Sequence, residues 1–140
     1  MAGKRISLTI NLEIMFINIS NHPSTGWGEK QWESAKEYGK VVDLAFPNVN
    51  PEAGEKEVCD MAQELLGGVY ELQWHYDEPC GMIHLVGEPT LTFAAVNLLQ
   101  SRGFRVCTST TKRISVENAD GSITKRFEFV RFREYKAGKE

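Results

Sequence analysis

A chain of 140 residues with 41% hydrophobic and 25% charged side chains has the size and make-up of one globular domain, which excludes disordered, collagen-like and coiled-coil readings. No apolar run approaches the roughly 18–20 residues that a membrane span requires, and no charged-then-apolar leader opens the chain, so a cytoplasmic protein without membrane contact is expected. The net charge of −3 argues against coating a long nucleic acid.

That charge is unevenly spread. Residues 1–100 hold 6 basic and 14 acidic side chains, whereas residues 101–140 hold 10 basic and 5 acidic. A basic C-terminal segment on an acidic body suits a local anionic ligand; a solvated, charged sheet edge would carry the same composition. Cys59, Cys80 and Cys107 are widely spaced and form no C-x-x-C pair, so buried, reduced thiols are expected.

Residues 1–13 read as an extension or an extra strand, through the alternation of Leu8, Ile10 and Leu12. From Ile14 the pattern repeats as strand, loop and helix. Ile14–Ile19 predicts a buried strand, followed by the polar turn Ser20–Gly28. A helix is expected from Glu29 to Tyr38, ended by Gly39, and Val41–Phe46 predicts the second strand. A longer helix begins near Glu55, with Val58, Met61, Ala62, Leu65, Val69 and Leu72 at helical spacing; Gly67 and Gly68 predict a bend or split. Met82–Val86 predicts the third strand, Gly87-Glu88-Pro89 opens another helix that stops at Gly103, and Phe104–Thr108 predicts the fourth strand.

The rhythm then changes. Ile114–Glu117 and Ile123–Phe132 flank Asn118-Ala119-Asp120-Gly121, a hairpin signal. Apolar parity shifts from Phe127 and Phe129 to Val130 and Phe132, which predicts a bulge or a strand covered on both faces. Residues 136–140 read as a frayed tail. The fold class that follows is α/β: one Rossmann-like three-layer domain over residues 14–135, with a mostly parallel sheet in order 2-1-3-4 and a C-terminal antiparallel hairpin.

In such sheets ligands sit beyond the carboxyl ends of the strands, where the strand order reverses, here between the first and third strands. Asn21, His22, Ser24, Thr25 and Trp27 lie in the first of the loops at that end. Together they can donate to phosphate, stack a base and move a proton. Gly87, Glu88 and Thr90 resemble a phosphate-approach turn at a helix start, with Glu88 either capping that helix or accepting a ribose hydroxyl. Thr108–Arg113 packs hydroxyls, among them Ser109, Thr110 and Thr111, beside Lys112 and Arg113, and reads as an anion-holding loop or as a charge-protected edge. The chain has no G-x-G-x-x-G, G-x-x-x-x-G-K-[ST] or G-x-S-x-G motif, and His22, His75 and His84 lack metal-ligand spacing, so no cofactor and no metal are expected. His84, in mid-strand, reads as a satisfied core residue.

Asn21-His22-Pro23, Trp27 and Gln31, Gly87-Glu88 and Thr110-Thr111-Lys112-Arg113, in this order, resemble the small stand-alone Rossmann-like proteins of type III CRISPR loci, some of which are ring nucleases that bind and cleave cyclic oligoadenylates. The resemblance covers Met15 to Arg113 and departs at the hairpin Ile114–Tyr135 and before Met15. It implies a homodimer enclosing a cyclic oligoadenylate, cleaved without metal by attack of a ribose 2′-hydroxyl on the adjacent phosphorus. In that scheme Lys112 or Arg113 steadies the phosphorane charge, His22 moves a proton or orients the ribose, and Ser24, Thr25, Thr110 and Thr111 position phosphates. A non-catalytic nucleotide sensor or partner-binding module, and an enzyme acting on a free nucleotide or nucleoside with Glu88 as its acid, base or nucleophile, are the alternatives.

Overall fold

A computed structural model describes residues 13–136. The expectations for the N-terminal extension and the tail fall almost wholly outside that range. The described chain runs β1 (Met15–Ser20), a 3-10 turn (Ser24–Gly26), α1 (Glu29–Lys36), β2 (Lys40–Ala45), α2 (Glu55–Tyr76), β3 (Cys80–Val86), α3 (Pro89–Ser101), β4 (Val106–Glu117) and β5 (Ile123–Glu134). The five strands form one sheet in order β2-β1-β3-β4-β5. β1 pairs in parallel with β2 and β3, β3 pairs in parallel with β4, and β4 and β5 are antiparallel.

All six residues of β1 are buried, as befits a strand flanked on both edges and covered on both faces. The pleat divides them. Met15, Ile17 and Ile19 join Ile83, Leu85, Val106 and the inner faces of α2 and α3 in the larger core. Phe16 points the other way, into a smaller core with Trp27, Ala35, Met82, Cys107 and Phe132 beneath α1. Three layers result, with α1 alone on one side of the sheet.

Two elements differ from the sequence expectation. α2 is one uninterrupted helix of 22 residues, without a bend at its two glycines. Gly68 lies where the helix backbone meets the Leu44 side chain on β2, so the residue that weakens the isolated helix is the one that lets it sit close to the sheet. β4 is the larger departure. The expected fourth strand, the expected loop at Ser109–Arg113 and the first hairpin strand are one continuous strand of 12 residues. A run of Thr and Ser side chains fits the pleat of a half-exposed strand as readily as it fits a loop, and pairing with β5 decides between them.

Only Val106 and Cys107 of β4 pair with β3, so the rest of the β4–β5 hairpin projects past the sheet as an arm. Its base is held by the two-pronged contact of Arg105 with Glu134, at 2.8 and 3.1 Å. Its tip closes at the Asn118–Gly121 turn, where Gly121 takes the left-handed conformation at φ 88°. The expected irregularity of β5 is a bulge: Thr110 pairs with Arg131 and Thr111 with Phe129, leaving Val130 as the extra residue.

Gly87, at the end of β3, has the Phe46 ring where a Cβ would stand. Gly87→Ala should therefore overpack this corner and destabilise the fold by about 1–3 kcal/mol, read as a lower denaturant midpoint at unchanged slope. A midpoint equal to that of the parent would show that Phe46 has room to move.

Candidate functional site

Three adjacent strands each interrupt an apolar run with a polar residue: Asn18 in β1, Asp43 in β2 and His84 in β3. The register sets Asn18 directly beside both Asp43 and His84, so the three form a row across the sheet on the α1 side. Asn18 is buried, and its amide is fully used. Its Nδ2 donates to Asp43 Oδ1 at 2.9 Å and to the His22 carbonyl at 3.0 Å. Its Oδ1 faces the Ser20 hydroxyl at 2.9 Å and His84 Nδ1 at 2.8 Å.

This bonding fixes the state of His84. Two acceptors on one side of the Asn18 amide identify its nitrogen, so the other end is an oxygen and His84 Nδ1 must carry the proton that meets it. His84 Nε2 is then a lone pair. It is buried and has no hydrogen-bond partner. Phe16 lies almost parallel to the imidazole, and Trp27 and Phe132 stand edge-on to it, with ring centroids 5.2–6.2 Å away. Burial in this aromatic box, reinforced by the nearby His22, pushes the pKa of His84 down to about 4, so the ring is neutral at physiological pH.

The face of His84 opens on a cavity of about 210 Å³ at the carboxyl ends of β1 and β3. Ser20, His22, Trp27, Gln31 and Val86 line it from the β1 and β3 side, and Ser109, Thr111, Phe127 and Phe129 from the arm. The loop that presents His22 is tied down at three points. Ser24 donates through its hydroxyl to Asp43 Oδ2 at 2.9 Å, Trp27 Nε1 donates to the His22 carbonyl at 3.2 Å, and the His22 amide donates to Ser20 Oγ at 3.1 Å. The exposed His22 imidazole stands above that frame.

The structure thus brings together His22, Trp27, Ser109 and Thr111. It does not bring the others. Ser24 is buried and spent on Asp43. Asn21 lines a separate hollow with Pro23 and Phe46, and Thr25 is exposed on the 3-10 turn outside the cavity lining. Gly87 makes room for Phe46 rather than for a ligand. Glu88 caps α3, accepting from the Leu91 amide at 2.8 Å and the Thr90 hydroxyl at 2.7 Å, contacts that lower its pKa and fill the helix terminus proposed for phosphate. Thr90 faces the groove between α2 and α3.

Because residues 109–113 are strand and not loop, their side chains alternate. Ser109 and Thr111 face the cavity side, Arg113 shares that side farther out, and Thr110 and Lys112 face the opposite way. The cysteine expectation also needs amendment. Cys107 is buried and Cys80 half-buried, each with its pKa pushed up to about 12 by burial, but Cys59 is exposed.

His84 is the residue that sequence reasoning passed over, because a histidine in mid-strand normally has both nitrogens satisfied. The signal was present as three polar residues interrupting three apolar strands at matching positions. No helix among the described residues is long and apolar enough to cross a membrane.

Fold and site together define a three-layer α/β protein of Rossmann-like strand order with a polar, histidine-bearing cavity at the point where that order reverses. The chain belongs to the uncharacterized protein MJ1673 family, whose model matches residues 14–133. Comparison with curated proteins and with solved structures finds no match.

The depressed His84 pKa has a consequence for stability. Between pH 6.5 and about 4 the unfolded chain takes up a proton that the folded chain refuses, so stability falls as the pH drops through that window and levels off below it. The loss should be on the order of 3 kcal/mol. Denaturant unfolding from pH 7 to 4 should show the gap between parent and His84→Gln shifting by that amount in favour of the variant. Parallel curves would mean that His84 takes up its proton without cost in the folded state.

Proposed function

We propose that the cavity binds one nucleotide unit of a cyclic oligoadenylate and that the chain is a ring nuclease of the type III CRISPR kind, acting in the cytoplasm without metal and as a homodimer. The observation that carries this reading is the pairing of two imidazoles in one cavity, one of them kept neutral by burial and held in a single tautomer by the Asp43–Asn18 relay. Transesterification at a ribose needs that combination of a base and an acid.

His84 Nε2 takes the proton of the 2′-hydroxyl, and the 2′-oxygen forms a bond to the adjacent phosphorus. The bond from phosphorus to the 5′-oxygen breaks, and that oxygen takes a proton from the His22 side chain, leaving a linear product that ends in a 2′,3′-cyclic phosphate. Ser109 and Thr111 donate to phosphate oxygens, and Arg113 supplies the positive charge that the resemblance gives to either Lys112 or Arg113. A free nucleotide is the second reading; part of it would lie outside a cavity of about 210 Å³, and Glu88 as helix cap has no part in such a site.

Incubation with cyclic and mononucleotide substrates, with and without EDTA, separates these readings. Ring opening that persists in EDTA and yields a 2′,3′-cyclic phosphate is expected. His22→Ala and His84→Gln should lower turnover by roughly 10²–10⁴-fold with little change in affinity. Arg113→Ala should weaken binding in a salt-dependent way by about 1.5–3 kcal/mol, and Lys112→Ala should not. A parent protein that leaves every cyclic oligoadenylate intact and unbound would remove the proposal.

A further inference from the structure

The cavity is smaller than the ligand proposed for it. At about 210 Å³ it falls below the roughly 300–1,000 Å³ of sites that enclose whole small molecules, so most of a ring of nucleotides must lie on the adjoining surface. One wall continues outward into such a surface. Phe127 and Phe129 form the rim, and Phe127 is 69% exposed. The register sets Arg113 opposite Phe127, Ser115 opposite Lys125 and Glu117 opposite Ile123, and cross-strand partners share a face. The cavity-side face of the arm therefore carries Phe129, Phe127 and Ile123 in a row, with Arg113 and Lys125 alongside and Glu117 at the far end.

Aromatic faces interleaved with cations are what an unpaired nucleobase and its phosphate require. A second copy of the arm is a poorer occupant. Residues 112–133 hold six cations against three anions, so two arms repel each other, and the same charge attracts a phosphodiester. The face is also continuous with the cavity lining, as it must be to hold the neighbour of the reacting nucleotide.

We infer that Phe127 and Phe129 form a stacking platform for an unpaired adenine, the one adjoining the nucleotide whose ribose reacts in the cavity, with Arg113 and Lys125 on its phosphate. The platform rests on the nucleotide reading of the cavity and adds the residues that bind the rest of the ring. Phe127 supplies affinity and positions the ring without touching the reacting atoms.

The test compares the parent, Phe127→Ala and Phe127→Tyr on whichever of cyclic tri-, tetra- and hexa-adenylate the parent opens fastest, with molar masses followed by light scattering. Phe127→Ala should raise KM roughly 5- to 100-fold, the range of one base stacked on an aromatic ring, and leave kcat within about two-fold. Phe127→Tyr should restore the parent KM. Because Phe127 is largely exposed, the variant should fold as the parent does. Parent kinetics in Phe127→Ala would overturn the platform and leave the cavity reading standing. A fall in molar mass with unchanged KM would also overturn it, by showing that Phe127 covers a second copy. A parent that neither binds nor opens any ring would overturn the cavity reading and the platform with it.

Discussion

The structure turns on one buried amide. Asn18 sits in the middle of a strand with no exposed residue, where an unpaired polar group costs about 1–3 kcal/mol, and every bonding position of its side chain is taken. Satisfying it forces three other placements. Asp43 must face it from β2, the His22 carbonyl must come down from the loop above, and His84 must present Nδ1 from β3. The requirement that buries Asn18 safely is therefore also the one that leaves His84 with its basic nitrogen unpaired. Stability and site are the same set of bonds, with Asp43 orienting Asn18 and Asn18 orienting His84.

Cavity volume and the convergence of polar side chains pick out different places in this molecule. A hollow of about 760 Å³ lies between α2 and α3 and is bounded chiefly by apolar side chains such as Val58, Ala62, Phe93 and Leu98. Its titratable lining is Glu55 and Cys59, with no histidine beside them. The smaller cavity sits at the switch between β1 and β3, where the neighbouring connections leave the sheet in opposite directions and the carboxyl ends of two strands stand open. There the loop bearing His22 can fold back over the sheet, and His84 at the end of the polar row lines the cavity.

Much of this was legible in the sequence, and the failures share a cause. The strand order, the cavity's place between the first and third strands, the hairpin turn at Asn118–Gly121 and the irregularity of β5 all follow from local signals: apolar periodicity, turn residues and parity. What was not legible depended on pairing. Nothing local tells Ser109–Arg113 that β5 will lie beside it, and without that knowledge a hydroxyl-rich segment reads as a loop with all its side chains available. Once it is a strand, half of them turn away, Thr110 and Lys112 among them. Ser24 was read for a ligand and is already engaged by Asp43, whereas Glu88 caps the start of α3, one of the two roles its position offered.

The bulge in β5 is what makes the arm part of the site. Phe129 and Phe132 are separated by an odd number of positions, so in a regular strand one would face the α1 side of the sheet and the other would face away. The extra residue Val130 resets the alternation, and the two rings meet on the same side, 4.9 Å apart. Phe132 then belongs to the small core around His84, while Phe129 and, two residues earlier, Phe127 extend that aromatic surface along the arm. A two-stranded ribbon has little stability of its own in water, and this contact supplies the packing that fixes the base of the arm beside the cavity. Bulges also sharpen the local twist of a ribbon, which turns the arm's aromatic side over the opening and leaves its more polar side, with Lys112, Arg126 and Arg131, to solvent. One inserted residue thus sets which face of the hairpin the imidazoles meet.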